Sequence, residues 1–477
     1  MYRLFRVSLS RCSLNGFLLA LMVMPTQAAE SPAQDYPIQT TPMSGGDGSV
    51  EQFDHNAYSL PLGNMSMTKR LDFSVGNSFF RNPWVAAPAS TEARDGLGPL
   101  LNTNSCQGCH IKDGRGHPPT GDESPIALFL RLSLPASQAD PEVLEQRGAL
   151  AVPNYGLQLQ TAAISGAKPE GKLVIDYRPR EVSFADGTRV TLQESVYSIA
   201  EPAYGELPET LQTSPRLAPP MIGLGLLEAI PDADLIAAAD PDDADGDGIS
   251  GRANRVWDVR SGTTVVGRFG WKAGEPSIEQ QGMHAFAGDM GLTSRLVPQT
   301  DCMPSQGCDD FPNGGNPEVS DDVADFVTFY ASSLAVPMRR HMDDPAVQRG
   351  AERFNALGCA SCHTPRQRTA ADAARPALAG QEIWPYSDLL LHDLGEALAD
   401  NRSEFQADGR EWRTPPLWGI GLTQTVNPRA GFLHDGRART LEEAILWHGG
   451  EAESATQAYR ELSADQRAEL IRFLESL

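Results

Sequence analysis

Two pentapeptides constrain this chain more than anything else in it: Cys106-Gln-Gly-Cys-His110 and Cys359-Ala-Ser-Cys-His363. Two thiols three positions apart can each add to one vinyl group of a haem. The histidine that follows is then held against the iron. A lone CxxC would say less, because zinc sites and redox dithiols also use it. A zinc site needs four tetrahedral ligands, and one shared site would have to gather cysteine pairs from opposite halves of the chain. Two CxxCH motifs therefore predict two covalently bound haem c groups, anchored by Cys106, Cys109, Cys359 and Cys362, with His110 and His363 on the irons.

The 477 residues suffice for two or three domains, and 40% hydrophobic with 21% charged residues is ordinary for a soluble globular protein. Residues 1–28 read as a secretory leader. Arg3, Arg6 and Arg11 precede a short apolar run at 14–24, and Thr26-Gln-Ala28 is a cleavage signal. The run is too short to span a bilayer. The expectation is a periplasmic protein, cleaved near residue 28, without a transmembrane segment. The formal net charge is −23 and deepens when the leader takes three arginines away. So acidic a chain disfavours nucleic acid and anionic membrane. It suits a basic partner such as an electron-donor protein, though many soluble proteins are simply acidic. Cys12 leaves with the leader and four cysteines hold haem. Cys302 and Cys308 remain, in an oxidising setting. They are expected to form a small structural disulfide worth about 2 kcal/mol by loop entropy, with a redox-active pair as the alternative.

Residues 29–70 are rich in Pro, Gly, Ser and Thr and read as an arm or linker. His55 there is expected at the surface. Beyond them the chain repeats one plan twice. After the haem motif comes Pro219-Pro-Met-Ile-Gly-Leu-Gly-Leu226, matched by Pro415-Pro-Leu-Trp-Gly-Ile-Gly-Leu422. Phe269-Gly-Trp-Lys answers Phe432-Leu-His-Asp. Ser277-Ile-Glu-Gln280 answers Thr440-Leu-Glu-Glu443, and each is a capping box that starts a helix. A last helix begins at Ser320 or Ser463. Its apolar stripe, Val323, Phe326, Val327, Tyr330 and Leu334, or Leu470, Phe473, Leu474 and Leu477, is core packing. The expected neighbour of each stripe is the helix that carries CxxCH.

The first copy is the longer. It contains a hairpin-like insertion, with residues 172–177 alternating and the runs 181–184 and 189–192 flanking Asp186-Gly187, a type I′ turn signal. It also carries Asp243-Ala-Asp-Gly-Asp-Gly-Ile249, which resembles the opening of a calcium loop. The carboxylates of Asp243, Asp245 and Asp247 and the carbonyl of Ile249 would take the ion. Asn254 stands where the usual last acidic ligand would be, and a merely polar turn is the alternative.

The capped helices allow the two irons to be compared. Eight residues after Thr440 is His448; eight residues after Ser277 is Ala285. Alanine cannot bind iron. One haem is therefore expected to be closed by His363 and His448, and the other to have His110 alone and an open sixth position.

On these residues the chain resembles the di-haem oxidoreductase family, whose members are also labelled peroxidases and thiol oxidoreductases. It is more distantly similar to bacterial di-haem cytochrome c peroxidases and to the di-haem enzyme that matures methylamine dehydrogenase. Phe432-Leu-His-Asp-Gly-Arg-Ala-Arg-Thr-Leu-Glu-Glu443 is the most specific piece. In those relatives the residue that falls on His448 is the distal ligand of the electron-transfer haem, a methionine in the peroxidases and a tyrosine in the maturation enzyme. Histidine implies a lower potential than Met/His ligation. The peroxidases carry a Gln and, before a Met, a Glu that line the peroxide pocket. Gln280 and Asp289-Met290 fall there, with one residue missing between them and a shorter carboxylate. His284, Met283 and Met290 are close enough in sequence to close the iron instead. Trp271 falls on a tryptophan that lies between the haems of the relatives, with a core aromatic as the alternative. His392 and His434 read as structural or propionate-binding, His117 as an outside axial candidate, and His341 as linker.

The resulting expectation is a mainly α protein with two cytochrome c-like haem domains and a small β-hairpin insertion in the first. The domains would run from 71 to 340, with the open haem and the calcium loop, and from 341 to 477, with the electron-transfer haem. The expected function is reduction of hydrogen peroxide by electrons from a small cytochrome or cupredoxin, with Asp289 shuttling the proton, Gln280 orienting the bound oxygen and Trp271 between the haems. The alternatives are a thiol or protein-side-chain oxidoreductase and a pure di-haem electron carrier. The oligomeric state stays open, a homodimer included.

Overall fold

Ser463 Oγ accepts the Gln466 N–H while Gln466 Oε1 accepts the Ser463 N–H at 2.9 Å, a closed capping box that starts the helix Ala464–Ser476. Ser320 starts Asp321–Ala331 with a single cap, its hydroxyl accepting the Val323 N–H. Both apolar stripes are buried, with Phe326 half-buried. Their neighbours differ from expectation. The helix Met67–Arg81 packs on Asp321–Ala331, and Pro345–Ala356 packs on Ala464–Ser476. These are the helices that precede the two motifs. The motif segments are too short to be packing partners: Cys106–Cys109 is one helical turn and Cys359–Ser361 one 3-10 turn. Glycine lets each crossing close. A Cβ on Gly76 would lie 2.2 Å from the Phe326 carbonyl oxygen, and one on Gly350 would lie 2.1 Å from that of Glu469.

The computed structural model describes residue 1, residues 36–121 and residues 123–477. Past its first residue, the leader read at 1–28 lies outside them, as does the start of the arm. Among the described residues no helix is long and apolar enough to cross a membrane.

The expectation of a mainly α fold is overturned. Of the described residues 31% are helix and 18% strand, and the strands form two-stranded antiparallel sheets scattered along the chain. Several have two or three residues a side, such as Leu391–Asp393 with Glu411–Arg413, too few to show a period of two in sequence. Leu128–Ser133 pairs with Gln212–Leu217. Leu128, Leu130 and Leu132 are buried in the core, while Phe129 and Arg131, on the other face, line a cavity.

The hairpin is also larger than expected, and it does not merely decorate the first half. Lys172–Ser183 pairs along its whole length with Arg189–Ala200. The tip is not a type I′ turn. Phe184 N–H donates to Thr188 O at 2.9 Å, and of Ala185, Asp186 and Gly187 only Gly187 is left-handed, at φ 85°. The tip docks on the C-terminal helices. Phe184 is buried edge-on against Tyr459 with Arg467 over its ring, and Ala185 N–H donates to Arg460 O.

Nor do two cytochrome c-like domains emerge. One core cluster takes in Tyr58 and Phe286 together with Trp418 and Val426; the other takes in Phe184 and Trp271 together with Phe354 and Trp447. The repeated Pro-Pro-x-x-Gly elements explain part of this interleaving. Gly223 (φ 70°) and Gly419 (φ 72°) share one left-handed conformation. A Cβ on Gly223 would meet Trp418 at 2.3 Å, and one on Gly419 would meet Ile222 at 2.7 Å. The residue before each glycine thus packs on the glycine of the other copy.

Candidate haem cavity

Ser105 caps the single turn Cys106–Cys109 by accepting the Gly108 N–H, and His110 ends it. His110 Nδ1 lies 2.8 Å from Pro219 O. A carbonyl there fixes Nδ1 as the donor and leaves the Nε2 lone pair free. This gives the repeated Pro-Pro element a purpose in the first copy. The second copy solves the same problem with another residue: His363 Nδ1 lies 3.0 Å from Tyr386 O. A phenylalanine from the preceding helix stands beside each ring, Phe80 at 6.2 Å from His110 and Phe354 at 6.3 Å from His363. Burial holds both imidazoles down at about 4, with His448 adding to the effect on His363, so both are neutral, the form that binds a metal.

One cavity reaches both motifs. Its wall is mostly aliphatic and aromatic, and the four motif cysteines on it are free thiols. Burial raises Cys106 and Cys359 to about 12. Arg115 and Arg413 also line it. Their hydrogen bonds go to main-chain carbonyls: Arg115 to Gly431 and Leu433, Arg413 to Gly270 and Thr414. Burial lowers both guanidinium groups to about 10. An apolar cavity with two thiol pairs, two histidines with free Nε2 atoms and buried guanidinium groups matches a haem's ring, vinyls, iron and propionates. The residues fit the group.

The two capped helices give the cavity different walls. Thr440 Oγ1 accepts the Glu443 N–H at 3.1 Å and starts Leu441–Trp447, which His448 closes. His448 Nδ1 is 2.7 Å from Ala444 O, so its Nε2 is free, and it stands near enough to His363 to depress that residue's proton affinity. In the first copy Ser277 Oγ accepts the Gln280 N–H and starts Ile278–Met290. From this helix Gln281, Gly282, Ala285, Asp289 and Met290 line the cavity.

Asp289 faces the first motif closely enough to raise the proton affinity of both Cys106 and Cys109. Burial raises its own; Arg131 and Gln158 oppose that, and Asp301 adds to it. Gln280 does not reach the cavity. Its amide donates to Trp257 O and Glu275 Oε2 and accepts the Val259 N–H. Neither capping box closes, because the Glu443 carboxylate is likewise engaged, by Arg439. Met283 and His284 are absent from the wall, and His284 Nδ1 bonds Glu275 Oε1 at 2.6 Å. Trp271 is on the wall. Its indole N–H donates to Leu217 O at 2.8 Å, its carbonyl accepts the Arg413 N–H, and Arg115 lies 5.2 Å over its ring.

Several wall residues were not anticipated from sequence. Arg131 had a signal, a lone charge in the apolar strand Leu-Phe-Leu-Arg-Leu-Ser. Glu275 and Glu404 had none. Glu404 belongs to a buried ion network: Arg216 bonds it at 3.2 Å and Arg402 at 2.7 Å, while the wholly buried Lys272 holds Asp400 at 3.0 Å.

Of the remaining histidines, His392 lies on the wall between Asp388 Oδ2 (2.8 Å) and Glu451 Oε2 (2.7 Å), and His434 stacks on Trp412 at 3.8 Å. His117 bonds Asn427 away from the cavity, and His55 and His341 are exposed. Cys302 and Cys308 are joined by a disulfide. In the acidic turn, Asp240, Asp243 and Asp245 bring ligand atoms within 4.8 Å of one another. Asp240 is outside the sequence expectation, and Asp247, whose carboxylate accepts the Ile249 N–H at 2.8 Å, is not one of the three.

No curated protein matches the chain. Among solved structures, hydrazine synthase of Kuenenia stuttgartiensis, studied under 20 bar of xenon, is similar at 18% identity and a TM-score of 0.24, over 36% of this chain and 59% of that one. The family model described as "Di-haem oxidoreductase, putative peroxidase" matches residues 39–477, and the chain belongs to this family of di-haem oxidoreductases.

Proposed function

We propose that this protein is an exported di-haem c-type peroxidase that reduces hydrogen peroxide with electrons from a separate donor protein. The observation that carries the reading is the difference between the two helix-built walls. One ends in His448, beside His363. The other offers Gly282, Ala285 and the carboxyl of Asp289, beside Cys106 and Cys109.

Cys106, Cys109 and His110 would hold one haem; Cys359, Cys362, His363 and His448 would hold the other. When bound, these groups supply one-electron redox chemistry and, at the first, an iron position open to a substrate oxygen. Reduction of one peroxide to two waters takes up two electrons and two protons. Asp289 gives the proton to the departing oxygen. Arg131 then steadies the carboxylate left behind, the direction in which it already acts on this group. Gln281, on the wall where Gln280 is not, orients the oxygen species. Trp271 spans the two halves, bonded to Leu217 on one side and Arg413 on the other. The donor, a small cytochrome or cupredoxin, meets an acidic chain of net charge −23. The turn at Asp240, Asp243 and Asp245 is included as a calcium site.

The test is low-temperature EPR on the oxidised holoprotein together with peroxide-dependent oxidation of a reduced small cytochrome. The reading expects one high-spin and one low-spin ferric signal, with turnover. Two low-spin signals that persist on half-reduction, without turnover, overturn it in favour of an electron carrier.

A further inference from the structure

Asp289 is the inner end of a buried polar line. Gln158 Nε2 donates to Asp289 Oδ1 at 2.8 Å, to Asn102 Oδ1 at 2.7 Å and to Gly288 O at 3.2 Å. Gln160 Nε2 donates to the same Gly288 O at 2.8 Å, and Gln160 N–H donates to Glu170 Oε2 at 2.7 Å. Glu170 Oε1 accepts from Gln306 Nε2 at 2.5 Å. Gln158, Gln160 and Glu170 are 0%, 5% and 1% exposed.

Two acceptors in this line have no partner: Gln158 Oε1 and Gln160 Oε1 are buried and unbonded. Rotating the Gln158 amide does not cure this, because its nitrogen already faces three acceptors and an oxygen there would repel all of them. An unbonded buried acceptor is costly, and an ordered water is the usual remedy. Beside the line, acting on both Asp289 and Glu170, is Asp301, half-buried and one residue before the Cys302–Cys308 disulfide. Its Oδ2 lies 4.0 Å from where a Cβ on Gly288 would stand. The disulfide closes the loop that carries Gln306.

We propose that Glu170 is the proton reservoir that recharges Asp289, through water held by the free carbonyl oxygens of Gln158 and Gln160, with Asp301 as the entry from solvent. The proposal rests on the reading of Asp289 as proton donor. Asp289 loses a proton to an oxygen in the cavity and regains one from the water. The water takes one from Glu170, and Glu170 regains one from solvent by way of Asp301. Each pass moves one proton and no electron; two passes, with two electrons from the donor protein, balance the conversion of one peroxide to two waters. The charged and titratable groups around the line are Arg131, Asp301, Cys106 and Cys109 at Asp289, and Asp301, Tyr155 and Tyr204 at Glu170. Burial raises both carboxyls, Glu170 to about 8, which keeps a proton on Glu170 at neutral pH.

The experiment is infrared difference spectroscopy of the holoprotein on reduction, in water and in deuterium oxide, beside peroxide turnover against pH. Wild type should show two carboxylic-acid bands that shift with deuterium. Asp289→Asn should remove one and Glu170→Gln the other. Glu170→Gln should also lower turnover about tenfold at neutral pH and remove the limb that falls near pH 8, with Glu170→Asp restoring part of both. Gln160→Leu, which removes one of the water's acceptors and keeps the backbone N–H bond to Glu170, should slow turnover and leave both bands in place. If wild type turns over no peroxide, the peroxidase reading fails, and the line is judged by the bands alone. Should Glu170→Gln leave the bands, turnover and pH profile as in wild type, the relay is overturned.

Discussion

Gly350 lies against Glu469 so closely that a Cβ built on the glycine would stand 2.1 Å from the Glu469 carbonyl oxygen. Gly76 meets Phe326 in the same way at 2.2 Å. Each crossing seats the helix whose phenylalanine, Phe354 or Phe80, stands beside a motif histidine. A helix-interior glycine costs roughly 1 kcal/mol of helix propensity relative to alanine, so Gly350→Ala would stabilise a free helix. In this crossing the methyl meets backbone, which cannot rotate away, and overpacking costs about 1–3 kcal/mol or more. The clash should win. Gly350→Ala is expected to lower stability by about 2 kcal/mol in denaturant unfolding of the holoprotein, and Gly76→Ala likewise. Unchanged midpoints would show that the helices separate at little cost.

What was legible in the sequence is what is local. Ser277, Thr440, Ser320 and Ser463 cap the helices they were expected to cap, and counting from two of those caps brings Ala285 and His448 to the cavity wall. Gln280 failed because its fate is set from afar: its amide is engaged by Trp257 and Val259, at the hairpin that Arg255–Asp258 forms with Thr263–Val266. The helices before the motifs went unread as repeat partners because what they share is a close backbone approach at one glycine, which leaves no periodicity. The mainly α expectation failed for a related reason. Strands of two or three residues hold by long-range pairing, and the tip of the one long hairpin is fixed by Tyr459, Arg460 and Arg467, far along the chain.

Ala285→His tests whether the two walls differ only by the residue at that turn. Both helices begin at a Ser or Thr cap and both residues line the cavity. The variant should convert the high-spin ferric signal to a second low-spin one and abolish peroxide turnover while both haems stay attached. A retained high-spin signal would mean that the first helix points its wall away from the iron.

His448→Met exchanges the proposed second axial ligand for a weaker donor. Thioether ligation favours ferrous iron, so the potential of one haem should rise by on the order of 100 mV. Redox titration by visible spectroscopy reads this directly. Two unmoved potentials would remove His448 from the coordination sphere.

Asp289→Asn keeps the size and the Gln158 contact but cannot deliver a proton. General acid catalysis is worth roughly 10²–10⁴-fold, and peroxide turnover should fall within that range while haem content and both potentials are kept. Unchanged turnover would leave the cavity without its proton donor and would sink the assigned role.

Glu170 makes a prediction about stability that is independent of catalysis. Burial, with Asp301 adding to it and the Gln160 N–H and Gln306 opposing, lifts Glu170 to about 8 in the folded protein, whereas a glutamate in an unfolded chain titrates near 4.3. Between those values the folded state holds a proton that the unfolded state has lost. Stability therefore falls with rising pH across that window. The contribution is fully present below about pH 4.3 and is lost as the pH passes through about 8, with a slope of at most about 1.4 kcal/mol per pH unit. Glu170→Gln removes the titration, so its denaturant midpoints at pH 5, 7 and 8.5 should differ less than those of wild type. The same slope in both proteins would show that Glu170 is ionised at neutral pH, and a carboxylate already without its proton cannot feed Asp289.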